Sequence, residues 1–333
     1  MSRRTILFVY HRGGKGAGWI DSDLSMLGRH YSLLSMRWKN IASLPKLVGL
    51  TARSDIVFAW FAYGHSFAAV IIAWLLHRKC IVVVGGGEVT WISRIRYGRQ
   101  GSLVGRMQTK ICLLGADMLI AVSQFTAHEI LRLANPKKLL VIHNAVDVDF
   151  FSPLGERKDL ALMVCGGALS RREFYRKGVD VLLRIAENLP AIEFVLVGGF
   201  GSRELLEKLH GHIPDNVRVL GWIQKTDLQA LYRTCKVYCQ LSAHEAFGVA
   251  LAEAMACGCI PVVSDRGALP EVVGDCGYVI PYGHIGEICT ALVRAMQSSP
   301  QQSAAARNRA VECFSLEKRE KTLLAAIRLL GQV

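Results

Sequence analysis

Apolar residues in this chain form short continuous runs, and the segments between the runs carry apolar residues every three or four positions. The runs of the first half are TILFVY, DIVFAWF, CIVVVGGG, DMLIAVS and KLLVIHN, which start at residues 5, 55, 80, 117 and 138. Uninterrupted Val, Ile and Leu runs are typical of strands that are buried on both faces of a parallel sheet. Segments such as FAAVIIAWLLHR and FTAHEILRLA predict helices between these strands.

The second half repeats this alternation. Its apolar runs are LALMVCGG, IEFVLVGG, VRVLGW, KVYCQLS, CIPVVSD and GYVIP, which start at 160, 192, 217, 236, 259 and 277. Pro, Gly and charged residues cluster over 146–159, which marks a boundary. We therefore predict an α/β protein with two Rossmann-like, doubly wound domains over 1–150 and 151–315 that face each other across a cleft.

Length and composition agree with two folded domains. The chain has 333 residues, of which 51% are hydrophobic and 20% are charged. The longest apolar stretch, residues 67–76, has about half of the roughly 20 residues that a membrane span needs, so we expect a buried helix there. The ten cysteines form no CxxC pair and the first residues do not form a secretory signal. We therefore expect reduced thiols and a cytoplasmic location.

The positive charge of the chain is concentrated in its first half. Residues 1–150 hold 19 basic and 8 acidic residues, whereas 151–333 hold 21 and 19. Nucleic acid, an anionic membrane surface and a phosphorylated acceptor all fit this excess. Residues 94–110 concentrate it without any acid, through Arg94, Arg96, Arg99, Arg106 and Lys110.

The segment 94–110 admits two interpretations, a solvated helix face or a contact with phosphates at the inner membrane surface. Nucleic acid is the weaker alternative, because no nucleic-acid-binding module surrounds the segment.

Two motifs resemble phosphate or metal sites without meeting their requirements. The stretch GGKGAG over 13–18 follows the first strand but lacks both the Walker and the GxGxxG spacing. Two interpretations of Gly14 and Gly16 stay open, a turn that approaches a phosphate or an acceptor and a merely permissive loop. The DxD pairs are Asp21 with Asp23 and Asp147 with Asp149. We interpret the first pair as helix-capping residues and expect no metal site.

Two glutamates eight positions apart flank a predicted helix start in HEAFGVALAEAMACG. Glu245 follows the strand KVYCQLS, Gly248 permits close approach of the backbone, and a helix is predicted from about Val249. Amides at a helix start bind phosphate, because they lack partners within the helix and lie at the positive end of its dipole. Glu253, one to two turns further, is suited to accept the hydroxyls of a ribose, and Glu245 those of a sugar.

A second motif, GGALSRREFYRKGVDVLL over 166–183, places basic residues after another strand. The strand ends near Gly167, and Lys177 with Gly178 precedes a helix. Lys177 is suited to neutralise a diphosphate as a point charge, while Arg171 or Arg176 would add a planar guanidinium.

Taken together, these motifs resemble the retaining glycosyltransferases of GT-B fold, family 4, which are also called glycosyl transferases group 1. HEAFGVALAEAMACGCIPVVSDRGALPEVVGDCGYVIP is similar to the E-x7-E region of that family, RKGVDVLL to its KG loop, and VLVGG, which ends at Gly199, to its next glycine turn. VIHNAVDVDFFSP looks like its interdomain signature, with Ala145 in place of a glycine. The resemblance implies a helix over 316–333 that crosses back to the first domain.

The resemblance also implies roles for individual residues. Lys177 would neutralise the leaving diphosphate, Glu245 would position the donor sugar, and Glu253 would bind the ribose. The amides of Phe247, Gly248 and Val249 would support the sugar and the phosphates. Where the family often has an arginine, this chain has Ala168, so Arg171, Arg172 or Arg176 would replace it. Glu88, in the turn GGGEVT, would be the residue that the first domain contributes near the reacting carbon.

The implied function is transfer of a sugar from a UDP- or GDP-linked donor to a glycan or lipid-linked acceptor, with retained anomeric configuration and without a cofactor or metal. This would place the chain in polysaccharide, glycolipid or glycoconjugate biosynthesis. Four alternatives stay open at this point: a nucleotide-sugar epimerase, an inverting transferase of the same fold, a non-catalytic subunit that binds a nucleotide-sugar, and a basic nucleic-acid binder. The last leaves the E-x7-E region unexplained.

Overall fold

The computed structural model describes residues 3–11, 18–168, 170–199 and 203–330. The chain divides into two compact units. Unit 1 comprises Met1–Asn144 together with Glu317–Val333, and unit 2 comprises Ala145–Leu316. The division after Asn144 lies six residues before the expected boundary at 150.

Unit 1 is built from alternating strands and helices up to residue 141. Its strands and helices are, in chain order, β1 Thr5–His11, α1 Gly18–His30, β2 Ser32–Trp38, α2 Leu44–Ala52, β3 Ile56–Trp60, α3 Gly64–Leu75, β4 Lys79–Val84, α4 Leu103–Gly115, β5 Met118–Ala121, α5 Gln124–Leu133 and β6 Leu139–Val141. Short 3-10 turns lie at Ile41–Ser43, Ser93–Ile95 and Arg99–Gly101.

The strands of unit 1 form one parallel sheet in the order β2-β1-β3-β4-β5-β6. One face of this sheet packs against α2, α3, α4 and α5 in a cluster that includes Val57, Val82, Leu113 and Ile130. The central strands β3 and β4 are buried along nearly their whole length, as their continuous apolar runs predict.

Unit 2 has the same kind of alternation. Its strands and helices are β7 Lys158–Ala168, α6 Arg171–Lys177, α7 Val179–Asn188, β8 Glu193–Gly199, α8 Arg203–His210, β9 Val217–Leu220, α9 Lys225–Thr234, β10 Cys235–Gln240, α10 Val249–Ala256, β11 Ile260–Ser264, α11 Leu269–Val273, β12 Tyr278–Ile280, α12 Ile285–Met296 and α13 Pro300–Phe314.

The sheet of unit 2 is also parallel, in the order β12-β11-β10-β7-β8-β9. The chain starts at the central strand β7, builds outwards through β8 and β9, and then returns to the other side of β7 with β10. The order therefore reverses between β7 and β10. Doubly wound sheets bind ligands at the carboxyl ends of the strands at such a switch point.

The final helix α14, Leu316–Leu330, belongs to unit 1 from Glu317 onward. It is attached there by Arg319, which is almost fully buried and pairs with the buried Asp23 of α1 at 2.6 Å. Arg319 also donates to the carbonyl oxygens of Ile142 and His143, and Asp23 accepts a hydrogen bond from the Trp60 indole at 2.9 Å.

Three details differ from the sequence-based expectations. Strand β2 was not predicted, because half-exposed and buried positions alternate irregularly along it. Asp23 does not cap a helix, because it lies inside α1 and forms the ion pair just described. The basic segment before Lys177 is not a loop but the short helix α6.

The apolar stretch 67–76 forms most of α3. Its inner face is buried, but Trp74 and Leu75 at its end are 71% and 60% exposed, so the expectation of a buried helix holds only in part. Among the residues that the structure describes, no helix combines the length and the apolar character needed to cross a membrane.

Candidate functional site

The site expected from the two motifs lies at the switch point of the unit 2 sheet. Lys177 ends α6, which follows β7, and Glu245 lies in the segment between β10 and α10. Because β7 and β10 are hydrogen-bonded neighbours, the two segments leave the sheet side by side. Their side chains meet, with Lys177 Nζ 2.5 Å from Glu245 Oε1.

The local backbone of α6 explains how Lys177 is positioned. Ser170 begins the helix by accepting a hydrogen bond from the Glu173 amide at 3.2 Å. Gly178 ends it with φ +74, a left-handed conformation that favours glycine. A Cβ at Gly178 would lie 1.9 Å from the Leu241 carbonyl oxygen, so only glycine lets α6 approach the end of β10 this closely.

Glu245 is held by neutral donors as well as by charge. Its Oε1 accepts hydrogen bonds from Gln240 Nε2 and Ser242 Oγ, each at 3.1 Å, in addition to the Lys177 ammonium. Tyr238 donates in turn to Gln240 Oε1 at 2.7 Å. The result is a buried chain of hydrogen bonds that fixes the orientation of this carboxylate.

The charge of Glu245 is maintained despite its burial. Burial raises the pKa of the carboxyl, but the charges of Lys177 and Arg176 outweigh it and hold the pKa at about 2. Glu245 is therefore ionised throughout the neutral range, and its carboxylate is suited to accept hydroxyl hydrogen bonds.

Arg176 supports the same cluster, whereas Arg171 faces solvent. The Arg176 guanidinium pairs with Glu173 at 2.6 Å, donates to the His244 carbonyl oxygen at 3.2 Å and lies 3.8 Å from Glu245 Oε1. Arg171 is exposed on the first turn of α6. Arg171 is thus available to a ligand from solution, while Arg176 stabilises the Glu245 carboxylate.

The start of α10 provides main-chain donors next to Glu245. Gly248, with φ +95, precedes the helix, and Val249 is its first residue. Phe247 is buried and packs its ring edge-on against Phe314 at 5.2 Å, which anchors the segment. First-turn amides of an α-helix have no partner within the helix, so they are suited to bind an anion.

Glu253 lies one turn into α10. The Tyr232 hydroxyl donates to its Oε2 at 3.3 Å. Burial raises the pKa of Glu253 to about 7, although the Lys225 charge and the tyrosine hydrogen bond lower it. The two acids of the motif therefore differ, because Glu245 stays ionised at neutral pH whereas Glu253 titrates there.

The expected glycine turns have different outcomes. Gly167 and Gly199 lie at the carboxyl ends of β7 and β8, at the same edge of the sheet as Lys177. Gly14 and Gly16 lie outside the described residues. No group of three or more His, Cys, Asp or Glu side chains in the described parts of the chain is arranged to hold a metal ion.

Glu88 is fully buried within unit 1. Its Oε1 accepts hydrogen bonds from the amides of Ala62 and Gly85, each at 3.0 Å. Burial raises the pKa of Glu88, although those amides lower it. The carboxyl thus ties the segments that follow β3 and β4 to each other.

The basic segment of unit 1 mostly faces solvent. Arg94, Arg96, Arg106 and Lys110 are exposed. Arg99 is half-buried, where its guanidinium contacts Gln108 at 2.6 Å and lies over the Tyr63 ring. Arg99 therefore has a structural contact that the sequence did not indicate.

Sequence reasoning missed the side chains that orient the two glutamates, namely Tyr238, Gln240, Ser242 and Tyr232. The first three lie two residues apart and so share one face of an extended segment. A row of polar residues on a strand that is otherwise buried is a signal that could have identified them. Tyr232 gives no such signal, because it approaches Glu253 from a different helix.

Comparison with known proteins assigns both units. The model described as Glycosyl transferases group 1 matches residues 152–311, and the model described as Glycosyltransferase Family 4 matches residues 8–150. The chain belongs to this glycosyltransferase family. The Lys177–Glu245 pair of this family member lies within the group 1 match.

Curated relatives are consistent with this assignment. One component of human phosphatidylinositol N-acetylglucosaminyltransferase is 31% identical over 312 residues, which cover 87% of this chain and 61% of the human protein. The D-inositol 3-phosphate glycosyltransferase of Mycobacterium tuberculosis (strain ATCC 25177 / H37Ra) is 30% identical over 237 residues, covering 64% and 48%. The family member thus spans less than two thirds of these relatives.

Solved structures show the same fold. Sucrose-phosphate synthase from Thermosynechococcus elongatus superposes with a TM-score of 0.78 at 16% identity, covering 99% of this chain and 100% of that one. Anabaena Alr3699/HepE in complex with UDP-glucose also gives 0.78, at 16% identity with coverage of 97% and 99%. With two parallel six-stranded sheets, the fold of this family member is GT-B.

Proposed function

We propose that this chain transfers a sugar from a nucleoside-diphosphate sugar to an acceptor hydroxyl, with retention of the anomeric configuration and without a metal ion. The observation that carries the proposal is the pairing of Lys177 with the ionised Glu245 at the switch point of the unit 2 sheet, beside the start of α10. Family membership and the UDP-glucose complex of HepE support a donor of this class.

In this proposal each group at the site has one task. Glu245 accepts hydroxyls of the donor sugar and Glu253 those of the ribose. The amides of Phe247, Gly248 and Val249 bind the sugar and the diphosphate, which Gly167 and Gly199 allow to approach the strand ends. Arg171 contacts the diphosphate from solution.

The reaction needs positive charge where the diphosphate leaves. In retaining transfer the sugar develops oxocarbenium character while negative charge accumulates on the leaving phosphates, so groups that bind those phosphates more strongly as they leave lower the barrier. Lys177 supplies that charge. It is presented by α6 and held at Glu245, beside the place where the α10 amides would bind the phosphates. A divalent metal is then not required for the leaving group.

Glu88 takes part in the proposal through its surroundings. Because its carboxyl is enclosed and accepts two main-chain hydrogen bonds, we assign it the task of holding the segments after β3 and β4.

The acceptor in this proposal is a glycan or lipid-linked molecule that carries negative charge. Unit 1 contains most of the basic excess, including the exposed Arg94, Arg96, Arg106 and Lys110. The names of the two curated relatives contain phosphatidylinositol and D-inositol 3-phosphate, both of which are anionic. We therefore propose that the chain works at an anionic membrane surface.

Thermal unfolding with UDP, GDP, ADP and their sugar conjugates tests the donor site. A ligand at a hundred times its Kd stabilises a protein by about 2.7 kcal/mol, which gives a readily measured rise in Tm. We expect one nucleotide to raise the Tm equally with and without EDTA, and Glu253→Ala to abolish the rise. Lys236→Ala, which removes an exposed pairing with Asp159 elsewhere in unit 2, is the matched control and should respond as the unmodified protein does.

Two results would contradict the proposal. If no nucleotide raises the Tm, the site does not bind a donor of this class. If the rise requires Mg²⁺ and disappears with EDTA, Lys177 and the amides are not sufficient for the diphosphate.

A further inference from the structure

Helices α3 and α4 of unit 1 lie side by side and expose large apolar side chains. Gly64 at the start of α3 lies beside Gln108 of α4, and Gly115 at the end of α4 lies beside Val70, so the helices run in the same direction. Six exposed apolar residues form what is here called the α3–α4 face: Trp74, Leu75, Leu103, Val104, Met107 and Leu114.

The exposure on α4 is organised along the helix. Leu103, Met107, Lys110 and Leu114 recur at intervals of four, three and four residues, which places them on one side of an α-helix. Leu103 is 81% exposed and Met107 is 56% exposed. The opposite side of α4, including Cys112 and Leu113, packs into the core of unit 1. One side of α4 is thus buried in the core, while the other exposes Leu103, Met107 and Leu114 beside Lys110 and is not covered by any described residue of unit 1.

Cations accompany this face and exposed carboxylates do not. Arg106 and Lys110 are exposed on α4, and Arg94 and Arg96 are exposed in the preceding segment. From residue 56 to residue 116, all of which are described, the only acidic residue is Glu88, and it is fully buried. The helices α1 and α14 of the same unit do carry acids.

This combination fits one kind of occupant. Large exposed apolar patches on monomeric proteins often mark an interaction site. At a bilayer surface, apolar side chains enter the boundary between headgroups and acyl chains, tryptophan prefers the interface, and Lys and Arg contact lipid phosphates. Each basic residue near an anionic leaflet adds to the attraction. Nucleic acid would satisfy the cations but not the apolar residues.

We propose that the α3–α4 face docks on an anionic membrane surface, with Trp74, Leu103 and Met107 entering the headgroup layer while Arg106 and Lys110 contact lipid phosphates. The inference rests on the proposed function for its meaning, because it specifies how a lipid-linked acceptor is reached. The proposed contact surface is larger than the basic segment 94–110, because it also includes the end of α3. None of its residues belongs to the donor site of unit 2.

Co-sedimentation of the full chain with vesicles tests the proposal. The probes are neutral phosphatidylcholine vesicles and vesicles that also contain phosphatidylglycerol, at low salt and at 0.5 M salt. We expect binding to the anionic vesicles only, weakened by salt. Replacing both cations in Arg106→Gln/Lys110→Gln should lower the partition coefficient about thirtyfold, and Leu103→Ser/Met107→Ser should lower it at least tenfold.

Trp222→Ser is the matched control. Trp222 is also a large apolar residue at the surface, with 54% exposure, but it lies in unit 2. This variant should bind vesicles as the unmodified protein does. A Tm close to that of the unmodified protein should show for every variant that it is folded. Equal loss of binding in Trp222→Ser, or equal binding to neutral and anionic vesicles, would overturn the proposal.

Two further outcomes would also overturn it. A concentration-dependent dimer that Leu103→Ser/Met107→Ser abolishes would make the face an interface between two copies of the chain. Binding to duplex DNA without binding to vesicles would make the cations a nucleic-acid site. Nucleotide-dependent stabilisation, measured on the same samples, shows separately whether the donor site functions.

Discussion

Glu245 shows how a buried carboxylate is kept both charged and oriented. The ammonium of Lys177 compensates its charge, while the neutral donors Gln240 and Ser242 determine the direction of Oε1. Removing a neutral donor should therefore leave the charge of Glu245 in place and loosen its position. Removing Lys177 should affect the charge first.

The Gln240 hydrogen bonds give a prediction about position. Gln240→Leu removes a donor to a charged acceptor, a contact worth about 1.5–3 kcal/mol, and leaves the buried Tyr238 hydroxyl without its acceptor. We expect kcat/KM for the donor to fall by about tenfold or more. Steady-state kinetics measures this.

Tyr238→Phe is the control for the Gln240 variant, because it removes the outer end of the same chain of hydrogen bonds without touching Glu245. It should have a smaller effect on kcat/KM than Gln240→Leu. A lower Tm with unchanged kinetics in Gln240→Leu would show that the contact is only structural.

Glu253 gives a prediction about pH. Its pKa of about 7 means that the free protein protonates this carboxyl as the pH falls through 7. Ribose hydroxyls donate to the ionised form, so affinity for a nucleotide-sugar should be about tenfold lower at pH 6 than at pH 8. Titration calorimetry with a nucleotide-sugar is the suitable measurement, and Glu253→Gln should remove the pH dependence.

The same shift has the opposite effect on the stability of the free protein. Because the folded pKa is raised, the unfolded chain releases the proton at lower pH than the folded protein does. The contribution of Glu253 to the free energy of unfolding therefore decreases as the pH rises from about 4.5 to 7.

A donor affinity that is constant from pH 6 to 8 would contradict the role of Glu253 as a hydroxyl acceptor.

Glu88 is predicted to act through the hydrogen bonds that it accepts from two amides. Glu88→Ala leaves the Ala62 and Gly85 amides buried without that acceptor, which should cost about 3 kcal/mol of the free energy of unfolding. Glu88→Gln keeps an acceptor oxygen and should cost clearly less. Urea denaturation compares the two, and equal losses would contradict the assigned contact.

At the scale of helices and strands, the sequence predicted the buried parts better than the edges. Central strands such as β3 and β4 are continuous apolar runs and were predicted as strands. Strand β2 was not predicted, because exposed and buried positions do not alternate regularly along it. The helix starting at Val249 was predicted from its glycine and apolar run. The short helix α6 was not, because its seven residues are mostly charged.

Contacts between residues distant in the chain were beyond the sequence. Lys177 and Glu245 were each identified by a motif, but their direct pairing depends on β7 and β10 being neighbours. Asp23 appeared to belong to a helix cap, since nothing near it in sequence indicates Arg319, which is 296 residues away. The pairing of strands and helices, rather than local pattern, places these side chains.

The attachment of α14 gives a prediction at this scale. Asp23 and Arg319 form a buried ion pair, and removing one partner of such a pair typically costs 3–5 kcal/mol because the other charge stays buried. Arg319→Met should lower the free energy of unfolding by that amount. Urea denaturation measures it.

The double variant Asp23→Leu/Arg319→Met tests the cause. It removes both charges, so it should recover part of the stability that Arg319→Met loses. Arg29→Ala, which removes an exposed pairing of α1 with Glu320, is the control and should cost less than 1 kcal/mol. Additive losses in the double variant would contradict the account of an uncompensated charge.

At the scale of the whole molecule, charge and chemistry are distributed unequally between the two units. Unit 2 contains the acids and the lysine of the proposed donor site, together with nearly balanced charge. Unit 1 contains most of the basic excess and the α3–α4 face. The proposed division is therefore that unit 2 binds the donor and unit 1 binds the anionic acceptor and its membrane. Variants of one unit should leave binding by the other intact.

The measurement that tests the central claim most directly is proton NMR of the reaction with the nucleotide-sugar that stabilises the protein. It gives the anomeric configuration of the first product. With water as the acceptor, we expect release of the nucleoside diphosphate and of a free sugar that has the configuration of the donor before it mutarotates. Lys177→Ala should slow this about a hundredfold, whereas Lys236→Ala should not. An inverted product, an epimerised donor, or binding without any turnover would contradict the account.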